Sequence, residues 1–599
     1  MKITKLSLTN FRSFKDTQTM DFAPVTLLVG PNSVGKSSVL MALFYLQQII
    51  EKGQCNPQKL EALNDKYIGG FKKLVHGHDI RSKIKIKIEF DKNERIGNSY
   101  GVIEDLFEDF NIGISSPSEA AKKMSIDFEI AWSESLDTAY ISRYTVAFDG
   151  ENIAEVTSDS GLKQPMLSAI NFLHPLLLPD NHDEWLINSV DEGISIHEAL
   201  KENYLHSIGG ELINYRDISK GYNDDTYKNE FVITFNENAY VSEFHELVTE
   251  PRTTNENNKF STDNSLVNEL SFVPYKISHI PIAVDCHSGA LPKLGKKLKT
   301  SLALEDAKIN ERATEIFSDL VVAPLDNLFR ILKDSLCIGP LRTVPNALCQ
   351  INSAYEQKDW YDGSAAWDVL ATADLVLMNS VNDWVSNPAK LNLGYGIALR
   401  VDKTFSEIKR STEQQTHHSL IENLDSEISS LYKDDISKGF SKVDEIITKS
   451  GYSIWDINNT IAVSPNEIGV GISQLMPLIV ASLSRKQGLI ACEQPELHVH
   501  PRVQVDIGDL LTQTNSSVSF LIETHSEHLV LRLLKRIRQT TENELPTGYL
   551  PVLSNNISII YLEAKEEGVK ATRIDIDEDG EFKQHWPHGF FSERREELM

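Results

Sequence analysis

The sequence predicts an α/β fold of two lobes parted by an insertion, and three observations predict it. A short apolar strand at 25–29 (VTLLV) runs into a glycine-bounded loop and then an apolar helical stretch from Ser38 to about Ile50. Strictly alternating stretches, at 83–90 (KIKIKIEF) and within 125–150 (SIDFEIAW, ISRYTVAFD), read as half-exposed strands of an antiparallel sheet. After about residue 453 regular strand and helix signals return, with GLIACEQPE, SVSFLIETHS and the helical HLVLRLLKRIR.

The first lobe is assigned to 1–154, beginning with an alternating strand at 2–9. The insertion, 155–335, is expected to be mainly helical and irregular. Polar loops at 222–229 and 252–265 break it up, and 304–336 reads as one long helical stretch. The second lobe is assigned to 336–599. Within it 404–450 is polar and helical, but its heptads are not sustained, so no long coiled coil is expected.

Composition bounds the function. The chain has 599 residues, 41% hydrophobic and 24% charged, enough for two or three compact units with real cores. Its formal net charge is −27, which repels phosphate backbones and excludes nucleic-acid binding over the whole surface, though not in a local basic groove. Five cysteines, at 55, 286, 337, 349 and 492, have no metal-ligand spacing and suit a reducing cytoplasm. The start, MKITKLSLTNF, lacks an apolar signal region, and no run of about 18 apolar residues suggests a membrane span.

The chemistry begins at Gly30-Pro-Asn-Ser-Val-Gly35-Lys36-Ser37, which fits G-x-x-x-x-G-K-[ST] without departure. The glycines let the backbone curl so that amides of Asn32, Ser33, Val34, Gly35, Lys36, Ser37 and Ser38 face phosphate oxygens. The helix that follows aims its positive end at the same anion. Lys36 should reach the β- and γ-phosphates of ATP, and the Ser37 hydroxyl should ligate Mg²⁺. A metal on such a loop needs a carboxylate from a neighbouring strand, and Glu493 ends the apolar strand GLIAC. A third strand, FLIE, ends in Thr524-His525-Ser526, placing His525 where a γ-phosphate could be sensed.

These residues resemble the ABC-type ATPase superfamily in its SMC/RecF/OLD-like branch. Asn10-Phe11-Arg12-Ser13-Phe14 is similar to an element which that branch carries before its phosphate loop. Gly469-Val470-Gly471-Ile472-Ser473-Gln474 resembles its divergent signature motif. The resemblance covers about 1–150 and 335–599 and implies an ABC/SMC-like ATPase head. It puts Arg12 near the nucleotide, Glu493 at the Walker B position and His525 at the switch position. It also implies a head-to-head homodimer holding two ATPs, in which Gly471 and Ser473 contact the other subunit's γ-phosphate. Higher oligomers stay open. EQPELHVHP (493–501), ETHSEHLVLRLLKRIR (523–538) and HWPHGFFSE (585–593) resemble bacterial ATPases with a WPxGFF tail. Those are similar to ATPase subunits of antiphage systems such as PtuA-like proteins, which implies a separate effector, a nuclease. The alternative is a RecF-like repair or chromosome-maintenance ATPase.

One departure stands out. Gln494 occupies the place where ABC enzymes carry the catalytic glutamate, so Glu496, two positions on, and Gln494 itself are both candidates for handling the attacking water. His498 and His500 with Glu496 read as a crossing loop rather than a metal site. Glu563 with Asp575 and Asp577 mimics a Toprim nuclease at the wrong spacing and reads better as a hairpin turning at Glu566-Glu567-Gly568. The basic cluster KLGKKLK at 293–299 is a candidate DNA or RNA contact, whereas Lys535–Arg538 reads as a solvated helix face. Gly339-Pro340-Leu341-Arg342 and the segment Trp360–Trp367 are assigned to lobe packing.

Overall fold

The structure, a computed structural model, describes residues 2–92, 100, 116–160, 164–171, 174–177, 282–301, 307–343, 354–401, 450–463, 468–514, 517–584 and 586–587. It also describes four short strands at 210–214, 230–235, 247–248 and 275–277. The predicted loops at 222–229 and 252–265, the polar stretch 404–449 and most of the WPxGFF tail lie outside the described residues.

Two sheets organise the chain. The first lobe opens with β1 (Lys2–Thr9) and β2 (Gln18–Asp21), then β3 (Val25–Val29) and α1 (Lys36–Lys52). It continues through β4 (Ile84–Asp91), β5 (Lys123–Ser133), β6 (Thr138–Phe148), β7 (Glu151–Thr157) and β8 (Met166–Ile170). Apart from β3, these strands form one antiparallel sheet in the order β2-β1-β4-β5-β6-β7-β8. β4 alternates as the sequence predicts, whereas β5 and β6 are buried along most of their length. Ile84, Ile86, Ile88 and Phe90 are buried while Lys85 and Lys87 face solvent, the signature of a sheet with one dry face.

The expected boundary at 154/155 is corrected by this sheet. It falls inside β7, which pairs with β6 on one side and β8 on the other. Strands from the region read as a mainly helical insertion, Tyr275–Ile277 and Ile282–Ala283, also pair with β8. The long helix α2 (Ala307–Lys333) packs on α1 and on the sheet, where the Tyr144 hydroxyl donates to the Val321 carbonyl at 2.8 Å. The described strands near 166–170, 275–277 and 282–283 and the helix α2 therefore complete the first lobe. Alternation over short strands separated by long polar stretches is too weak a signal to show this in sequence.

The second sheet carries the chemistry. It contains β3, β9 (Leu336–Ile338), β10 (Gly488–Glu493), β11 (Val518–Glu523), β12 (Ile557–Lys565) and β13 (Gly568–Ile574). The order is β9-β10-β11-β3-β12-β13, parallel except for the closing β12-β13 hairpin, which turns at Glu566-Glu567 as read from the sequence. Every residue of β3 and β11 is buried, because helices and the first lobe cover both faces. One face packs Leu28, Ala491, Leu521 and Ile560 into the first lobe's core. The other packs Leu27, Ile490, Cys492 and Ile522 against α3 (Val470–Ser484), α4 (Pro501–Thr512) and α5 (Glu527–Thr541). The fold is thus the predicted two-lobed α/β head, and the longest helix among the described residues spans 27 residues.

The structure also places two further segments. Arg536 is buried and chelates Asp509 of α4, Nε to Oδ1 at 2.7 Å and Nη2 to Oδ2 at 2.8 Å, while Arg538 pairs with Glu581. Lys535 and Arg538 are exposed on the helix face that the sequence suggests, whereas Arg536 is a buried brace between α4 and α5. Trp360 and Trp367 are both buried, on a turn at Gln357–Trp360 and a helix at Ser364–Ala371, so this segment packs into the core of the second lobe, in keeping with the lobe packing assigned to it.

Candidate functional site

The loop Gly30–Ser37 joins β3 to α1. Val34 is buried and anchors it, Asn32 and Ser33 are exposed at its crest, and Ser38 is buried in the first helical turn. Gly35 has φ 108, and a Cβ there would lie 2.2 Å from the Ser13 hydroxyl, so only glycine fits. That contact seats the NFRSF element on the loop. Arg12 lies alongside, its backbone N–H donating to the Leu74 carbonyl at 2.6 Å and its guanidinium Nη1 reaching Met41 Sδ on α1 at 2.9 Å.

Lys36 is buried, and its ammonium arches back to donate to the Gly30 carbonyl at 3.0 Å and the Pro31 carbonyl at 2.7 Å. Desolvation lowers its pKa, and the charges of Glu523 and Glu496 oppose that shift. The Ser37 hydroxyl donates to Glu523 Oε2 at 2.7 Å.

Three strand ends converge here. Glu493 closes β10 and Glu523 closes β11, in register with one another. The Glu493 carboxylate faces Lys66 Nζ at 3.5 Å and the Tyr361 hydroxyl at 3.4 Å. Lys66 Nζ donates to the same phenol oxygen at 2.8 Å. Burial, then the Glu493 charge, holds the Tyr361 pKa well above its usual value. Gln494 turns out of the strand with φ 46 and donates its backbone N–H to the Glu523 carbonyl at 2.8 Å.

Glu496 Oε1 accepts the His525 backbone N–H at 2.6 Å, while its Oε2 is buried without a hydrogen-bond partner among the described residues. Burial raises the Glu496 pKa, which the His525 amide partly offsets. The His525 ring is exposed at the sheet edge. Partial desolvation, then the charge of Lys36, lowers its pKa from 6.5, so the imidazole is neutral at neutral pH.

The signature segment sits at the start of α3. Gly469 and Val470 are exposed, and a Cβ on Gly471 would lie 2.5 Å from the His498 carbonyl, so helix and crossing loop meet backbone to backbone. Ser473 is fully buried and donates to the Val470 carbonyl at 2.9 Å, so its hydroxyl faces inward. Gln474 is bound to Arg342, whose Nη2 continues to the Glu493 carbonyl at 2.7 Å. His500 caps α4 by accepting the Arg502 N–H at 3.2 Å.

Sequence reasoning gave no site role to Glu523, Lys66, Tyr361 or Arg342, the last two lying in segments assigned to lobe packing. Glu523 carried a usable signal, since a carboxylate ending a fully apolar strand is the pattern that selected Glu493. Lys66 and Tyr361 carried none, because only the fold brings them to β10. In the KLGKKLK cluster, Lys293 and Lys297 are paired with Asp285 and Glu315, each at 2.5 Å, which offsets part of the charge that a phosphate backbone would meet.

The donor set fits a magnesium nucleotide. A hydroxyl and carboxylates offer the hard oxygens such a cation takes, and loop amides with a buried lysine offer the complement of a polyphosphate. Residues 1–319 and 350–530 match the family described as AAA ATPase domain. A 45-residue stretch is 40% identical to the DNA replication and repair protein RecF of Desulforamulus reducens, spanning 8% of this chain and only 12% of that relative. Similar solved structures include the SMC head domain from Thermotoga maritima, at 8% identity over 96% of this chain and 100% of that one, with TM-score 0.32. Another is the Smc head domain from Pyrococcus furiosus, with an extended coiled coil and bound to the C-terminal domain of ScpA. It matches at 9% identity over 96% of both chains, with TM-score 0.34.

Proposed function

The chain belongs to the AAA ATPase domain family, and from that premise we propose that it binds ATP with Mg²⁺, hydrolyses it, and uses the cycle to join and release two heads. The observation that carries this reading is the convergence at one sheet edge of Lys36, Ser37, Glu496, Glu523 and His525. A lysine held over a phosphate loop, a hydroxyl for the metal, a buried carboxylate for the water and a neutral imidazole at the rim are the parts that phosphoryl transfer to water requires. Asn32, Ser33, Val34, Gly35 and Ser38 complete the phosphate cradle, and Arg12 borders it.

Dimerisation is supported by the signature. Gly469 and Val470 form an exposed helix start, whose first-turn amides suit an anion from outside the chain. With Ser473 turned inward, the amides rather than that hydroxyl would make the contact. ATP would then act as glue and hydrolysis as release.

We assign the cycle to the control of a separate effector, a nuclease, in antiphage defence. This rests on the resemblance of the segments at 493–501, 523–538 and 585–593 to ATPase subunits of such systems. A second reading, a RecF-like repair ATPase acting on DNA, is favoured by the 45-residue similarity to RecF. Purification with the product of the neighbouring gene, followed by ATPase and nuclease assays on the complex, separates them. ATP-dependent nuclease activity in the complex supports defence. A salt-sensitive, ATP-dependent shift of DNA ends by this chain alone supports repair.

A further inference from the structure

We propose that Lys66 makes divalent-cation binding at this site conditional on the nucleotide. It balances the buried carboxylates of Glu493 and Glu523, so that the cation enters only in company with the phosphates. This rests on the nucleotide-binding reading above and deepens it, because it gives a specificity role to a residue outside the phosphate loop and the strand ends.

The fold fixes where the Lys66 ammonium stands. Lys66 is carried by a short hairpin, Lys59–Leu60 paired with Lys66–Tyr67. The hairpin is fastened to α1 by one side chain. Gln48 Nε2 donates to the Lys59 carbonyl at 3.0 Å, and Gln48 Oε1 accepts the Glu61 N–H at 3.1 Å. Leu60 and Leu63 of the same segment are buried in the first lobe's core. Toward the second lobe, Asn64 Nδ2 donates to Asp362 Oδ2 at 3.3 Å and Lys66 Nζ donates to the Tyr361 hydroxyl at 2.8 Å. Tyr361 is itself held in place, because its carbonyl accepts the Gly339 N–H at 2.8 Å. A Cβ on Gly339 would lie 2.9 Å from the Tyr361 ring Cζ, so a glycine is what lets that ring lie there. The ammonium thus bridges the helix after the phosphate loop and the end of β10, 3.5 Å from Glu493 Oε1.

The charges at this place explain the role. Glu493 and Glu523 end neighbouring strands in register, and both are buried. Two such carboxylates repel one another, and together they offer the hard oxygens that a divalent cation takes. Two ammoniums oppose them. Lys66 lies against Glu493, and its charge also acts on Glu523. Lys36, seated on the carbonyls of Gly30 and Pro31, acts on Glu523 as well.

Two carboxylates facing two ammoniums leave these strand ends balanced. A bare divalent cation would add positive charge to a buried place without a counter-charge, which is unfavourable. A cation that arrives on a triphosphate brings its counter-charge with it, and the phosphates engage Lys36. Lys66 faces Glu493 and Tyr361 instead, so it is the lysine whose charge sets the condition.

The test uses the full chain and Mn²⁺ as the probe, with bound and free metal read by electron paramagnetic resonance. Each variant is first titrated with ATP in excess EDTA, where affinities equal to the wild type establish that the fold and the phosphate loop are intact. Without nucleotide, Lys66→Met should bind Mn²⁺ about tenfold or more tightly than the wild type, because the side chain keeps its length and loses its charge. Lys66→Arg keeps the charge and should match the wild type to within about threefold. The gain should vanish when Lys66→Met is combined with Glu493→Gln, which separates this site from weak binding elsewhere on an acidic chain. A Lys66→Met chain that binds Mn²⁺ no more tightly than the wild type overturns the proposal, and so does a gain that persists in the double variant. Should Lys66→Met not fold, Lys66→Gln loses the charge while keeping a donor for Tyr361, and an unaltered Mn²⁺ affinity in that variant overturns the proposal equally. A wild-type chain that binds no ATP in EDTA or with Mn²⁺ removes the nucleotide reading itself and this proposal with it, a failure seen before any variant is compared.

Discussion

Arg342 and Gln474 hold one another by three hydrogen bonds. The Arg342 backbone N–H donates to Gln474 Oε1 at 3.1 Å, Gln474 Nε2 donates to the Arg342 carbonyl at 2.7 Å, and Arg342 Nη1 donates to the Gln474 carbonyl at 2.7 Å. Because Arg342 Nη2 also donates to the Glu493 carbonyl, the signature helix is latched to the end of β10 through a single buried side chain. Gln474→Ala leaves a buried N–H and C=O unpaired and should cost about 2 kcal/mol in urea unfolding. It should also weaken ATP-dependent dimerisation while leaving ATP affinity of the monomer nearly unchanged, measured by light scattering and calorimetry.

Lys36→Ala removes the charge that the loop holds over the phosphates. Charge-assisted hydrogen bonds of this kind are worth about 1.5–3 kcal/mol, so ATP affinity should fall on the order of 10- to 100-fold. Turnover should be lost with it. Equal affinity in the variant and the wild type, by isothermal titration, would remove the central claim.

Glu496→Gln should reduce turnover about 100-fold with ATP affinity retained, because a carboxylate can polarise water and an amide can only orient it. The same variant should accumulate as an ATP-bound dimer in gel filtration. Gln494→Ala should alter turnover less than about threefold on this reading. The reverse ranking would hand the water to Gln494.

His525 should titrate below 6.5, since partial burial and the Lys36 charge both disfavour its protonated form. A depressed pKa means that its contribution to stability is fully present above the unfolded value and is lost as pH falls through the folded one. Carbon-13 histidine resonances should place the transition below pH 6.5, and Lys36→Ala should move it upward by removing the like charge. An unshifted transition in that variant would show that the two side chains do not sense each other.

Asp509 carries the brace between α4 and α5. Asp509→Ala strands the Arg536 guanidinium in the interior and should destabilise the chain by about 3–5 kcal/mol, measured by denaturant unfolding.

Much of this site was legible in the sequence. The loop at Gly30–Ser37, the strands ending at Glu493 and Glu523, and His525 beyond the latter stand where residue patterning places them. A phosphate loop and fully apolar strands are local signals that need no tertiary context. The reach of the first sheet was not legible, because its later strands are short and separated by long polar segments. Nor was the partnership of Lys66 with Glu493, which joins residues more than 400 positions apart through a short hairpin, Lys59–Leu60 paired with Lys66–Tyr67, that has no motif of its own. The pairing of Ser37 with Glu523 needed only the strand order, and that order follows from topology rather than from proximity in the chain.

The place of β3 has a consequence for synthesis. This strand, at Val25–Val29, has as its sheet neighbours β11 at Val518–Glu523 and β12 at Ile557–Lys565. On a ribosome adding about 5–20 residues per second, the first apolar strand leaves the tunnel on the order of 25–100 s before its nearest neighbour exists. Through that interval its N–H and C=O groups and its largely apolar side chains lack their native cover. The first lobe's antiparallel sheet can assemble early around α1, but the nucleotide loop stays incomplete until almost the entire chain has emerged. A nascent chain therefore has no functional nucleotide site, and a premature stop anywhere before β12 yields a lobe with an open, aggregation-prone edge rather than a weakened ATPase.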